Sequence, residues 1–222
     1  MISRMGKKVF LLSLIFLACV GFETFPGVKG WAIDRTTTAG RKVFITLSTS
    51  GRTLENDLPA GDALAGAGAT LTEAQLLASV INDYNSIYNS SLILALDSDP
   101  DFAANSLDRR IIIEEGEASG VSSGEARQTF RNRYIIGCEV TLTDVAYESA
   151  KGYVALLSHE LGHCMGLDHP QSTVWSVMSY FYNTDEVYRL AIDDKMGIVH
   201  LYGATAGNRD EKPTGGLSCS NR

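Results

Sequence analysis

Beyond residue 20 the 222-residue chain has no long apolar run, and beyond residue 8 it has no run of Lys and Arg. The first absence excludes a membrane-spanning helix from the body of the chain, since a span needs roughly 20 consecutive apolar residues. The second, with a formal net charge of −7, argues against a nucleic-acid partner, whose phosphates call for a basic patch. Internal repeats are missing too, which excludes a solenoid or propeller. Cysteine and histidine are both scarce, at four residues each. What remains is ordinary: 45% hydrophobic and 20% charged residues, the composition of a folded chain. The length suits one domain with short tails.

The N-terminus reads as an export signal over residues 1–21. Arg4, Lys7 and Lys8 precede the apolar run Val9 to Val20, too short to cross a bilayer and of the length of a secretory core. Small residues at Ala18 and Gly21 both permit cleavage. Phe16-Leu17-Ala18-Cys19 resembles a bacterial lipoprotein box, with Phe16 where Leu is usual, so a lipid anchor at Cys19 is the alternative to a free mature chain. The expected location is secreted or extracytoplasmic, or else lipid-anchored at the cell envelope. The folded domain is expected over 31–204, and the polar tail 205–222, with Gly and Pro, reads as flexible.

An exported chain permits disulfides. Setting Cys19 aside leaves Cys138, Cys164 and Cys219, which allow three pairings, and spacing does not choose among them. Alternation places Cys138 on the apolar face of a strand with Ile136, Val140 and Leu142. Helical spacing places Cys164 on one stripe with Leu157 and Leu161. Both face inward, either as two buried thiols or as a bridge.

Along the chain, Arg41 to Thr49 alternates as a strand, and residues 50–70 read as a loop. Thr72 is a helix N-cap with Gln75 completing a capping box. Leu76, Leu77, Val80, Ile81, Tyr84 and Ile87 then recur at helical spacing over residues 73–88. Leu92 to Leu96 and Ile111 to Glu114 read as strands, 115–127 as a Gly-, Ser- and Glu-rich loop, and Tyr134 to Thr143 as another strand. A helix from about Ser149 to Cys164 follows, and a closing helix spans Ile192 to Tyr202, capped by Gly203. Asp97, Asp99 and Asp101 alternate in a loop, a pattern that binds Ca2+ in some proteins and is a solvated turn in more.

The chemistry is concentrated in His159-Glu160-Leu161-Gly162-His163-Cys164-Met165-Gly166-Leu167-Asp168-His169. Histidines four apart on a helix lie on one face, one above the other, so two imidazoles reach one ion. Glu160 is rotated about 100° from His159 and flanks that face without ligating. Gly166 allows the left-handed turn that ends a helix and returns the chain so that His169 is a third ligand. Three imidazoles leave a fourth position of a Zn2+ ion open to water, as in catalytic and unlike structural sites.

This His-Glu-x-x-His-x-x-Gly-x-x-His pattern resembles the metzincin zinc proteases, whose second mark is a methionine turn. Ser176-Val177-Met178-Ser179-Tyr180 is similar to it. Pro170 and Met-Ser-Tyr resemble the serralysin branch, whereas Asp193 to Gly203 is similar to matrixins. The resemblance implies an α+β fold: a twisted, mostly parallel sheet of four to five strands, with an N-terminal, an active-site and a C-terminal helix. It implies a zinc endopeptidase acting on peptides or proteins, with His159, His163 and His169 on zinc and Glu160 as general base. Met178 would form an apolar floor under the imidazoles. Tyr180 would ligate zinc at rest or donate to the oxyanion. A switch cysteine in a latency segment and glycine-aspartate nonapeptides after residue 203 are both missing from the sequence. A bare His-Glu-x-x-His arises by chance on amphipathic helices, but five fixed positions plus the Met turn outweigh that reading. Asp193 reads as a helix cap or a structural carboxylate near the active-site helix, and His200 as a surface residue without partners. The peptide substrate is expected to add to an exposed sheet edge drawn from residues 115–134.

Overall fold

A computed structural model describes residues 22–102, 109–117, 123–170, 173–180 and 186–203. The expected signal, Cys19, Cys219 and the tail lie outside the described residues. Among the described residues there are nine strands: β1 (Glu23–Thr24), β2 (Lys42–Ser48), β3 (Thr53–Glu55), β4 (Thr70–Thr72), β5 (Ile93–Leu96), β6 (Arg110–Glu115), β7 (Gly124–Arg131), β8 (Tyr134–Leu142) and β9 (Leu167–Asp168). The α-helices are α1 (Glu73–Asn85), α2 (Ala150–Cys164) and α3 (Ile192–Tyr202).

The main sheet has the order β5-β2-β6-β8-β7. Four strands run parallel, and β7 lies antiparallel to β8 at the edge. The α+β expectation with a mostly parallel five-stranded sheet therefore holds. Helix α1 carries the chain between the parallel neighbours β2 and β5, as parallel pairing requires. It begins as the sequence predicts, with Gln75 N–H donating to Thr72 Oγ1 at 3.2 Å and Thr72 N–H to Gln75 Oε1 at 2.9 Å. The helix stops at Asn85, short of residue 88, and Ile87 is buried in the turn that follows.

Two expectations need correction. Residues 124–127, read as loop, belong to β7. That strand hides because its residues, Gly124-Glu125-Ala126-Arg127-Gln128-Thr129-Phe130-Arg131, alternate no large apolar side chains. Only its inner face is covered, and it is covered by a helix against which small residues fit. Residues 50–70 contain the short antiparallel pair β3–β4, with Leu54 opposite Leu71 and both buried.

The core lies between the sheet and helices α1 and α2. Leu76, Leu77, Val80 and Tyr84 of α1 are buried with Val154, Leu157 and Leu161 of α2 and Val43, Ile45, Ile111 and Ile113 of the sheet. Tyr84 hydroxyl donates to Ser158 carbonyl at 2.8 Å, joining the two helices. Of the open cysteine pairings, the structure contains Cys138–Cys164, linking β8 to the last residue of α2. The acidic turn is partly accounted for: both oxygens of Asp99 and one of Asp101 take hydrogen bonds from Lys42 Nζ at 2.7–2.8 Å.

Candidate active site

Helix α2 is buried from Tyr153 to Cys164. Its N-cap is Ser149, whose hydroxyl accepts from Gly152 N–H at 3.0 Å. Its buried Tyr153 and Ser158 hydroxyls have no hydrogen-bond partner among the described residues, whereas two of its histidines do. His159 Nδ1 lies 2.6 Å from Val177 carbonyl, and His163 Nδ1 lies 2.9 Å from Leu167 carbonyl. A carbonyl only accepts, so each Nδ1 carries the proton and each Nε2 turns a lone pair inward. Burial lowers the pKa of His159, His163 and His169 to about 4, so all three rings are neutral at pH 7.

The third histidine arrives by a tight return. Gly166 has φ +96°, the left-handed region that a side chain disfavours. Its N–H closes the turn on His163 carbonyl at 2.8 Å. A strand pair then fixes the return: β1 lies antiparallel to β9, with Thr24 opposite Leu167 and Glu23 opposite Asp168. His169 follows at once. Its Nε2 is 3.1 Å from that of His159, which is 3.1 Å from that of His163. The His159 and His163 lone pairs repel at that distance. Yet the spacing is close to the edge of a tetrahedron around an ion bonded at about 2.0–2.1 Å to each nitrogen. The three histidines are a group that could hold a metal ion, their ligand atoms all within 4.8 Å of one another.

Glu160 sits beside this cluster, buried. Burial raises its pKa to about 7, Glu125 pushes in the same direction, and the Ala126 backbone N–H, which hydrogen-bonds to the carboxylate, pulls it back. Ala126 lies on β7, so the carboxylate is held against the edge strand. Gly124, two residues earlier, leaves room for the Glu160 side chain: a Cβ there would come 3.3 Å from Glu160 Cγ.

The methionine turn closes the other side. Met178 is buried, its sulfur against Gly162 of α2, where any Cβ would collide with it. The turn hangs on Asp194, buried in the first turn of α3. Ser176 hydroxyl donates to Asp194 Oδ1, Val177 N–H to Oδ2 at 3.1 Å, Met178 N–H to Oδ1 at 3.4 Å and Ala191 N–H to Oδ2 at 2.7 Å. Burial raises the Asp194 pKa against the pull of these four donors. Through Val177 carbonyl this carboxylate also orients His159. The structural carboxylate expected at Asp193 is thus its neighbour. An acid three residues into a helix, accepting from the N-cap amide, was the signal for Asp194. His200 is exposed, as expected of a surface residue, but it is not without a partner, since its ring meets that of Phe22 with centroids 5.4 Å apart. Tyr180 stacks on His169, with centroids 3.7 Å apart and planes 21° apart, and stays 58% exposed.

Comparison with known proteins agrees with this geometry. The family model for matrixin, peptidase M10, matches residues 66–203, more than half of the chain. The chain belongs to the matrixin family. Matrixins share the metzincin fold, and the α+β arrangement with three helices and a mixed sheet agrees with it. This matrixin is 35% identical over 71 residues to matrix metalloproteinase-B of Caenorhabditis elegans. The match covers 31% of this chain and only 14% of the relative. Among solved structures, the GM1-bound form of the ECX AB5 holotoxin is similar, with a TM-score of 0.47 and 13% identity. That match covers 82% of this chain and 87% of the other, too distant a likeness to bear on function. Among the described residues, no helix of this matrixin is long and apolar enough to cross a membrane.

Proposed function

We propose that the chain is a zinc-dependent endopeptidase whose metal is held by His159, His163 and His169. The observation that carries this reading is the convergence of neutral imidazole nitrogens at 3.1 Å spacing with a buried carboxylate one residue along the same helix. Zinc held there supplies Lewis acidity to a water and to a peptide carbonyl. Glu160 takes a proton from the attacking water at its carboxylate, as the new carbon–oxygen bond forms. It delivers that proton to the amide nitrogen as the carbon–nitrogen bond breaks. Tyr180, stacked on His169, donates its hydroxyl hydrogen to the oxyanion. The substrate adds as a strand to the free side of β7, within the expected stretch 115–134. Backbone pairing of this kind supplies affinity with little dependence on sequence.

The test is Glu160→Gln together with His169→Ala. Glu160→Gln should bind one zinc per chain by elemental analysis and lose at least about 10³-fold in turnover of a casein or peptide-library substrate, the scale of a lost acid–base group. His169→Ala should lose the metal, and a chelator should abolish wild-type activity. Wild-type turnover in Glu160→Gln would overturn the assignment. So would a wild-type protein that binds no transition metal.

A further inference from the structure

The last turn of α2 ends in three carbonyls that three different parts of the chain cap with side chains. Helix C-termini leave four such carbonyls without intrahelical partners. Tyr202 hydroxyl, from α3, donates to Met165 carbonyl at 2.7 Å. Trp31 Nε1, from the segment before β2, donates to Cys164 carbonyl at 2.9 Å. Gln128 Nε2, from β7, donates to His163 carbonyl at 2.7 Å. The third bond differs from the other two, because its acceptor belongs to one of the three histidines. It also comes from the edge strand on which, under the proposed function, the substrate docks.

Gln128 stands directly opposite Cys138 in the β7–β8 register, and Cys138 is bonded to Cys164. Two neighbours on the sheet therefore grip two consecutive residues at the end of the helix, one covalently and one by a hydrogen bond. His163 carbonyl also accepts from Gly166 N–H. The amide that follows, on Leu167, belongs to the residue whose carbonyl takes the His163 ring proton. Gln128 thus holds the one-turn loop that encloses the His163 imidazole. Removing it leaves no orphan at the carbonyl, since Gly166 remains as a partner, so the cost to global stability is small. What is lost is the fixed position of the loop.

We infer that Gln128 is a positioning residue: by holding His163 carbonyl from the substrate-side strand, it sets the orientation of the His163 imidazole and couples β7 to the metal site. The inference rests on the proposed function for its purpose, but the hydrogen bond and its effect on the loop do not require catalysis. Partners one bond removed from a metal ligand change affinity by about 10- to 100-fold. Gln128 acts through one further bond, so the low end is expected.

Three variants test it in the full chain: Gln128→Met, which removes the donor; Gln128→Glu, which keeps the shape and sets an oxygen against the carbonyl; and Gln128→Lys, which keeps an N–H donor. Gln128→Met and Gln128→Glu should weaken zinc binding about 10-fold and shift the visible absorption bands of the cobalt-substituted protein. They should speed amide hydrogen exchange at Gly166 and Leu167 in the metal-free protein, with a melting temperature within about 3 °C of wild type. Gln128→Lys should restore affinity to within about 3-fold, well inside the change expected for a lost partner. Wild-type affinity, cobalt bands and exchange in Gln128→Met would overturn the inference. A fall in melting temperature with exchange raised evenly across the chain would do so too, showing a packing role alone. Should the wild-type protein bind no zinc, the proposed function fails, and exchange in the metal-free variants still decides whether Gln128 orders the loop.

Discussion

Replacing both Cys138 and Cys164 with Ala should cost about 3.5 kcal/mol of folding stability. The bridge closes a loop with a sequence separation of 26. The loop-entropy relation, a fixed 2.1 cal/mol/K plus 1.5R times the logarithm of the loop length, gives about 12 cal/mol/K for such a loop, or about 3.5 kcal/mol at 25 °C. Both cysteines are buried, at 3% and 0% exposure, so the missing sulfurs also leave a small void that works in the same direction. For a chain of this size each kcal/mol moves the melting temperature by about 2–4 °C, so a drop of about 7–14 °C is expected. Urea unfolding of the metal-free proteins, with comparable m-values, is the direct assay. It separates the bridge from any effect of bound zinc, which stabilises by mass action. A loss below about 1 kcal/mol at equal m would refute the reasoning, since it would mean that the unfolded chain is already as restricted without the bridge as with it. A second readout follows from burial. Thiol–disulfide exchange requires access to a sulfur, so the native protein should keep its bridge under a reductant that removes it fully in urea.

Two further outcomes follow from buried carboxylates. Asp194→Asn puts an N–H in place of an oxygen that now accepts from backbone and hydroxyl donors; at least one donor pair loses its acceptor, so a cost of about 3 kcal/mol is expected by urea unfolding, with weaker zinc binding because Val177 no longer fixes His159. Stability equal to wild type would show that the Met turn holds without this carboxylate. Asp62 reports on pH: burial pushes its pKa up, but Arg189, the Leu64 N–H and the Tyr188 hydroxyl outweigh that and hold it below the usual value. A lowered folded-state pKa contributes stability above the unfolded value of about 3.9, and this contribution is lost as pH falls through the folded value. The urea midpoint of wild type should therefore fall more steeply than that of Asp62→Asn between about pH 5 and 3; parallel slopes would mean that the Arg189 contact adds nothing.

The grouping of the candidate site residues was more legible in the sequence than the architecture around them. The three histidines and Glu160 are close in the chain, and helical geometry plus one glycine turn brings them together with little help from elsewhere. The capping box at Thr72 and Gln75, the apolar stripe of α1 and the alternation in β2 and β8 were legible for the same reason, because each is a local pattern with a fixed period. Strand β7 was not, since an edge strand facing a helix with Gly124, Ala126 and Gln128 has no apolar alternation to display. Nor was β1, two residues long, whose only reason to be a strand is its partner β9, more than 140 positions later. The choice of Asp194 over Asp193 turns on one step of helical phase, which a boundary uncertain by a residue cannot resolve.

The residues that escaped detection share a physical character that bears on how the site works. Ala126, Gln128, Trp31 and Tyr202 all act on backbone groups of α2, its following turn or the carboxylate of Glu160, through partners between about 30 and 130 positions away. None of them is among the three histidines that could hold a metal. A local motif can supply ligands, but the inward lone pairs of His159 and His163, 3.1 Å apart, repel one another before a cation arrives, and something must hold them there. Here the holding is done by long-range hydrogen bonds to carbonyls, by β1 against β9, and by the Cys138–Cys164 bridge. Under the proposed function, metal affinity should depend as much on the sheet edge, the segment around Trp31 and the closing helix as on the motif. Substitutions at those remote contacts should move metal binding by more than they move overall stability.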